Sequence, residues 1–221
     1  MIMSALKIKV CGITDMNQAI ALEAMGVDFI GFIFYASSKR YVLNKLNVAD
    51  LKNFNSPHTR KVGVFVNEPV ESLMQIVINA GLDMIQLHGD EDVDYYTQLR
   101  EKLVEASLEQ VDLIKVFRVG DRMPHLEPFD NSADFYLFDT DSNLYGGTGA
   151  HFNWELLKGN NIGKAYFLSG GIGPNDLGGI EVMKQTKAGK DLFALDLNSQ
   201  FEIAPGIKNL EKIKSFIDAL V

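Results

Sequence analysis

The sequence predicts an α/β protein of the (β/α)₈-barrel class. Eight short apolar runs recur along the chain, and each is followed by glycine or a polar cluster and then by a helical pattern or loop. The runs are rich in Val, Ile and Phe, and several are apolar throughout, as in parallel strands buried on both faces. A length of 221 residues suits a barrel at the short end of its size range. A doubly wound open sheet is the alternative with the same alternation. No Pro/Ser-rich linker or break in composition divides the chain, so a single barrel domain over residues 1–221 is expected.

The first run, Lys7–Cys11, precedes a helix that Asp15 caps and Gly26 ends, with Ala19, Ile20, Ala24 and Met25 on or near one face. The second, Phe29–Phe34, leads to a faint helical pattern near residues 47–54. Lys61–Val66 is followed by a helix over Val70–Ala80 that stops at Gly81, and Met84–His88 by one over Asp92–Glu105. Asp112–Phe117 leads into residues 122–131, where Pro124, His125 and Pro128 predict irregular backbone. The last strands are Phe135–Asp139, Ala165–Ser169 and Leu192–Leu197, with helices over Asn175–Thr186 and Lys208–Leu220. Pro174 sits where a first helical turn tolerates it.

Composition removes several classes of function. With 47% apolar and 23% charged residues the chain is not disordered. Asp+Glu total 29 against 21 Lys+Arg, a net charge of −8, which argues against a nucleic-acid or membrane-surface binder. A phosphorylated small molecule stays open, because a few backbone N–H groups bind phosphate locally. The lone cysteine, Cys11, excludes an intrachain disulfide and a cysteine-rich zinc site. His58, His125 and His151 lie in loop-like stretches without metal-ligand spacing, and neither the dinucleotide fingerprint nor the P-loop pattern occurs, so no metal and no cofactor is expected. The start lacks a signal-peptide pattern and no window approaches a membrane span, which makes the cytoplasm the default compartment. Apolar residues on the outer helices suit a monomer or a homodimer equally.

In either α/β architecture the chemistry lies at the C-terminal ends of the strands. Cys11 shares its strand face with Lys9. A free thiol with pKa about 8.5 is about 3% thiolate at neutral pH, so a base role calls for a nearby positive charge, which Lys9 offers if it points inward. A buried cysteine filling a small space is the alternative. Asp139 and Asp196 each end an apolar run; Asp139 suits a general acid if apolar surroundings raise its pKa, and a turn or cap role is the alternative for both. Gly146-Gly147-Thr148-Gly149, Ser169-Gly170-Gly171-Ile172-Gly173 and Asn198-Ser199 follow the last three strands. Glycine lets backbone approach an anion closely, and the clusters after strands seven and eight point to phosphate. Arg40 is able to grip a carboxylate with its planar fork or to sit solvated at the surface. His88 is catalytic or a hydrogen-bonded rim residue. Trp154 is expected to pack a helix start against the barrel.

In this order the residues resemble the phosphoribosylanthranilate isomerase family of tryptophan biosynthesis. The matching segments are Lys9-Val10-Cys11-Gly12-Ile13-Thr14, Gly31-Phe32-Ile33-Phe34 with Ser37 to Arg40, and Gly63-Val64-Phe65-Val66-Asn67. Gln86-Leu87-His88-Gly89-Asp90-Glu91 and Gly146-Gly147-Thr148-Gly149 with Phe152 and Trp154 continue the set. Leu168-Ser169-Gly170-Gly171-Ile172, Asp196-Leu197-Asn198-Ser199, Glu202 and Pro205-Gly206-Ile207-Lys208 complete it, so the resemblance runs from the first strand to the last helix.

The resemblance implies a TIM barrel of the ribulose-phosphate-binding type that converts N-(5-phosphoribosyl)anthranilate into 1-(2-carboxyphenylamino)-1-deoxyribulose 5-phosphate by an Amadori rearrangement, without a cofactor. It implies Cys11 as general base and Asp139 as general acid, and Arg40 on the anthranilate carboxylate. Gly147, Gly149, Gly170, Gly171, Asn198 and Ser199 would hold the phosphate, with Lys9, His88 and Asp196 in support. The chain departs from the pattern at Lys39 (usually proline), Asn198 (commonly serine), Gln200-Phe201 (usually Gly-Val), and Asn153 and Asn209 (often aspartate). None of these touches Cys11 or Asp139. A histidine-pathway isomerase with the same rearrangement would place aspartates at the ends of strands one and five, where this chain has Cys11 and Phe117-Arg118. A barrel that binds a phosphorylated metabolite without turning it over is the non-enzymatic alternative, and the presence of both Cys11 and Asp139 argues against it.

Overall fold

Strands that are apolar on both faces need cover on both, and in this chain they find it by closing on themselves inside a layer of helices. The structure, a computed structural model, describes residues 6–140 and 153–220. The chain runs β1 (Lys7–Cys11), α1 (Met16–Ala24), β2 (Phe29–Ile33), α2 (Val48–Asn53), β3 (Arg60–Phe65), α3 (Val70–Ala80), β4 (Met84–Leu87), α4 (Val93–Glu105) and β5 (Asp112–Val119). It continues with β6 (Phe135–Thr140), α5 (Glu155–Lys158), β7 (Tyr166–Leu168), α6 (Leu177–Lys184), β8 (Leu192–Leu197), β9 (Glu202–Ala204), β10 (Ile207–Lys208) and α7 (Leu210–Leu220). Strands β1 to β8 form one closed barrel in sequence order, all neighbours parallel. The open-sheet alternative is thereby excluded.

Local chemistry sets most boundaries. The Asp15 carboxylate accepts the Asn17 N–H at the start of α1, and Asp92 accepts the Tyr95 N–H at the start of α4. Helix α3 ends at Gly81 as expected. Between β5 and β6 the backbone makes a 3₁₀ turn, Glu127–Phe129, where Pro128 denies the chain an amide donor. Two expectations shift near the C-terminus. Pro174 opens a 3₁₀ turn, Pro174–Asp176, ahead of α6, and Lys208 belongs to the β9–β10 hairpin, with the last helix starting at Leu210. The hairpin is tied to the loop after β1, where Thr14 Oγ1 donates to the Gly206 carbonyl at 2.9 Å.

Alternation of side chains divides the core in two. Outward residues such as Ile8, Val10, Ile30, Phe32, Ile85 and Leu87 pack with the helices. Inside the barrel, Phe29, Val62, Met84, Ile114, Val116, Leu137, Phe167 and Ala194 form a separate apolar plug, joined by Phe135 and Phe193. Trp154, at the start of α5, is partly buried against the outer core. Among the described residues no helix is long and apolar enough to cross a membrane.

Candidate active site

The alternation that fills the barrel floor with rings turns charged groups inward at the other end. On β1, Ile8 and Val10 face the helices while Lys9 and Cys11 face in. Lys9 and Asp196 are direct partners in the β1–β8 register, and their side chains meet with Nζ 2.9 Å from Oδ1. Both are buried. Burial works against the Lys9 ammonium, but Asp196 and then Cys11 more than offset it, so its pKa lies above the ordinary lysine value. For Asp196 burial outweighs the pull of Lys9, and its carboxyl sits above the usual carboxylate range.

Cys11 is buried and pairs in register with Gly31 of β2. A Cβ at Gly31 would lie 2.7 Å from Sγ, so only glycine leaves space for the thiol. Burial pushes the thiol up, Lys9 draws it back and Asp196 adds to the rise; the result is a pKa above that of a free cysteine. Lys9 is thus the inward charge that the sequence suggests, but its charge is matched to Asp196.

Asp139 continues the inner face of β6 beyond Leu137. Its Oδ2 lies 3.3 Å from His88 Nε2, and its Oδ1 accepts the Thr140 backbone N–H at 2.8 Å. Burial would raise this carboxyl, but His88, Thr140 and Lys9 together hold it below the usual carboxylate range. The condition of a raised pKa is therefore not met at this site, because the polar neighbours outweigh the apolar wall. His88 is held in turn by Gln86, whose side chain meets its Nδ1 at 2.9 Å.

Arg40 stands in the segment after β2, but its fork is partly taken. Nε lies 2.9 and 3.0 Å from the two carboxylate oxygens of Glu202, and Nη2 lies 2.6 Å from Oε2. The same carboxylate accepts from Lys208 Nζ at 2.7 Å and from the Gly206 N–H at 3.0 Å. Burial would raise Glu202, but Arg40 and Lys208 hold it below its ordinary value. Arg40 therefore does not offer its whole fork to a ligand: the Nε/Nη2 edge is spent on Glu202, and Nη1 with the second Nη2 hydrogen is the end that remains. Sequence reasoning assigned no role to Glu202, Lys208 or Gln86. The signal for Gln86 was legible, as a polar residue on the inward side of the Met84-Gln86-His88 alternation.

The loop after β7 rests on Asp139 and Thr140. Ser169 is buried, and Gly170 and Gly171 have φ of 88° and 74°, a left-handed pair that suits glycine. A Cβ on Gly170 would lie 2.4 Å from Thr140 Oγ1 and 3.3 Å from Asp139 Oδ1. Ser199 opens a 3₁₀ turn after β8. Asn198 accepts from Lys208 Nζ through its side-chain oxygen at 2.8 Å, which leaves its side-chain NH₂ and its backbone N–H as the donors it has for an anion. Gly147 and Gly149, with Gly146, Thr148, His151 and Phe152, lie outside the described residues. Among the described residues no group of three or more His, Cys, Asp or Glu side chains is arranged to hold a metal ion. A groove of about 500 Å³ lined by Tyr96, Arg100, Val104 and Ser132 belongs to the helix layer, away from these groups.

Comparison with known proteins agrees with this geometry. The family model described as N-(5'phosphoribosyl)anthranilate (PRA) isomerase matches residues 8–219. The curated N-(5'-phosphoribosyl)anthranilate isomerase of Aquifex aeolicus is 35% identical over 213 residues, 96% of this chain and 96% of its own length. The solved phosphoribosyl anthranilate isomerase of Thermus thermophilus superposes with a TM-score of 0.79 at 26% identity, covering 97% of this chain and 98% of that one. Another solved phosphoribosyl anthranilate isomerase, in complex with reduced 1-(o-carboxyphenylamino)-1-deoxyribulose 5-phosphate, gives 0.70 at 26% identity over 97% and 98% of the two chains.

Proposed function

We propose that this chain, which belongs to the N-(5'-phosphoribosyl)anthranilate isomerase family, works through Cys11 as general base and Asp139 as general acid. It is an isomerase of tryptophan biosynthesis. The observation that carries the assignment is that both residues face inward at the C-terminal end of the barrel, with the Lys9 ammonium acting on each of them.

An aldose-to-ketose shift needs one proton given and one taken. Asp139 protonates the furanose ring oxygen, the bond from that oxygen to the first sugar carbon breaks, and a cationic Schiff base forms. That charge acidifies the neighbouring carbon, from which the Cys11 thiolate takes the proton; the enol-amine then rearranges to the ketose. A thiol lifted by burial makes thiolate scarce, so the rate rises with pH as Cys11 ionises. Arg40, held by Glu202, presents its remaining N–H end to the anthranilate carboxylate. Gly170, Gly171, Asn198 and Ser199 take the phosphate together with Gly147 and Gly149.

The test is the loss of anthranilate-type fluorescence when purified protein meets freshly made phosphoribosylanthranilate. Turnover is expected from the wild type, with a loss on the order of 10²–10⁴ in kcat for Cys11→Ala and for Asp139→Asn. Near-wild-type turnover in either variant would remove that residue from its role. Arg40→Ala should raise KM by roughly 10- to 100-fold, as for a lost charge-assisted hydrogen bond, with kcat less affected.

A further inference from the structure

Along β4 the inward face reads Met84, Gln86, His88, so a polar amide sits between the apolar floor and the imidazole. Gln86 is buried, and its Nε2 donates to His88 Nδ1 at 2.9 Å. The imidazole hydrogen is then on Nε2, facing Asp139 Oδ2 at 3.3 Å. The other end of the amide, Gln86 Oε1, is buried without a hydrogen-bond partner among the described residues. Leaving such an atom unmet is costly, and a leucine or methionine here would avoid it.

Half a turn of the amide gives that oxygen a use. It brings Oε1 against Nδ1, where it accepts a hydrogen bond only if Nδ1 carries a hydrogen. With Nε2–H still facing the Asp139 carboxylate, the ring then holds a proton on both nitrogens. One side chain can thus satisfy His88 in either charge state, which no hydrocarbon can do.

We propose that Gln86 is a positioning residue that makes His88 the proton store for Asp139. In the loaded state Nδ1–H donates to Gln86 Oε1 and Nε2–H to Asp139 Oδ2; at higher pH, once the Nδ1 proton has been lost to water, the amide turns and its NH₂ donates to bare Nδ1. This rests on Asp139 being the acid, and it answers a difficulty of that reading: a carboxyl held low by its neighbours lacks the proton it must give. On transfer the Nε2–H bond breaks, its electron pair stays on Nε2, and the proton passes to Oδ2, leaving a neutral ring whose hydrogen is on Nδ1 and still donated to Gln86 Oε1, with Nε2 free to be reloaded. Asp139 then gives a proton to the sugar ring oxygen, whose bond to carbon breaks with the pair on oxygen, and the carboxylate returns. The proton that Cys11 takes from the second sugar carbon leaves to water, and one from water reloads His88, so the cycle closes.

The titratable groups that face His88 are Asp139 on β6 and Asp196 on β8, with Lys9 on β1 beside both; Glu91 beyond β4 accepts the Gly89 N–H, and Asp90 and Arg118 at the rim pair with one another. Cys11 on β1 is a neutral thiol while protonated.

The experiment combines kcat–pH profiles with ¹⁵N NMR of the histidine ring nitrogens in the full chain, the His88 signals identified with His88→Gln. The variants are Gln86→Met, which offers Nδ1 no strong acceptor, and Gln86→Glu, which offers a stronger one. The falling limb of kcat at rising pH should move down by about one pH unit in Gln86→Met and up in Gln86→Glu, the size of a lost or gained hydrogen bond to a charged group. At a fixed pH on that limb, the doubly protonated ¹⁵N pattern should weaken in the first variant and strengthen in the second. A limb and a ¹⁵N pattern that stay put in the folded variants would overturn the proposal. Asp139→Asn separates the two readings. If it keeps its turnover the acid assignment fails, whereas a dead Asp139→Asn beside an unmoved Gln86→Met and Gln86→Glu defeats the proton store alone.

Discussion

The two ends of the barrel interior are built from the same strands and do opposite work. At the N-terminal end, Phe29, Phe135, Phe167 and Phe193 interlock, with ring centroids 5.3 Å apart for Phe29–Phe167 and 5.0 Å for Phe135–Phe193. At the C-terminal end the same inner faces carry Lys9, Cys11, Gln86, His88, Asp139 and Asp196. On β6 one face passes from Phe135 through Leu137 to Asp139. The floor gains stability simply by excluding water, whereas each group at the mouth must find a partner, because an unpaired buried charge is costly. The floor also serves the mouth, since a dry wall strengthens every electrostatic contact beside it.

The contrast breaks first, and by the largest margin, if its two ends fail to separate in mutants. Phe167→Ala should cost about 3–5 kcal/mol in chemical denaturation and leave kcat per folded molecule nearly unchanged. Asp139→Asn should do the reverse, losing most of kcat with less than about 1 kcal/mol of stability. A folded Phe167→Ala with a kcat as low as that of Asp139→Asn would mean that the floor shapes the chemistry directly.

The Lys9–Asp196 pair sits where the two regions meet. Asp196→Ala strands a fully buried ammonium and should cost about 3–5 kcal/mol. The double replacement Lys9→Met with Asp196→Leu should recover most of that stability without recovering turnover. Recovery of both would make the pair structural only.

The smallest effect concerns acid stability. The Glu202 carboxyl is lower in the folded chain than in the unfolded one, so its contribution is complete above about pH 4.3 and drains as pH falls through the lower folded value. Glu202→Gln should flatten the pH dependence of stability in that window, measured by denaturant midpoint; an unchanged slope would show that the Arg40–Glu202–Lys208 cluster does not sense acid.

Much of this was legible before folding. The period-two rule places Lys9 with Cys11, and apolar runs ending in Asp139 and Asp196 mark the strand ends. The β9–β10 hairpin was not, because strands of three and two residues leave too little pattern and Lys208 reads as the start of a helix.

By itself, then, the sequence determined the eight strands of the barrel and the alternation that turns residues such as Lys9 and Cys11 inward, since these follow from local pattern and turn residues. Partners and proton states were decided by the tertiary structure alone. Lys9 meets Asp196 across 187 positions and Arg40 meets Glu202 across 162. Asp139 is held low rather than raised because His88 arrives from another strand. A pKa is set by burial and by charges within a few ångströms, and only closure of the barrel fixes what those neighbours are.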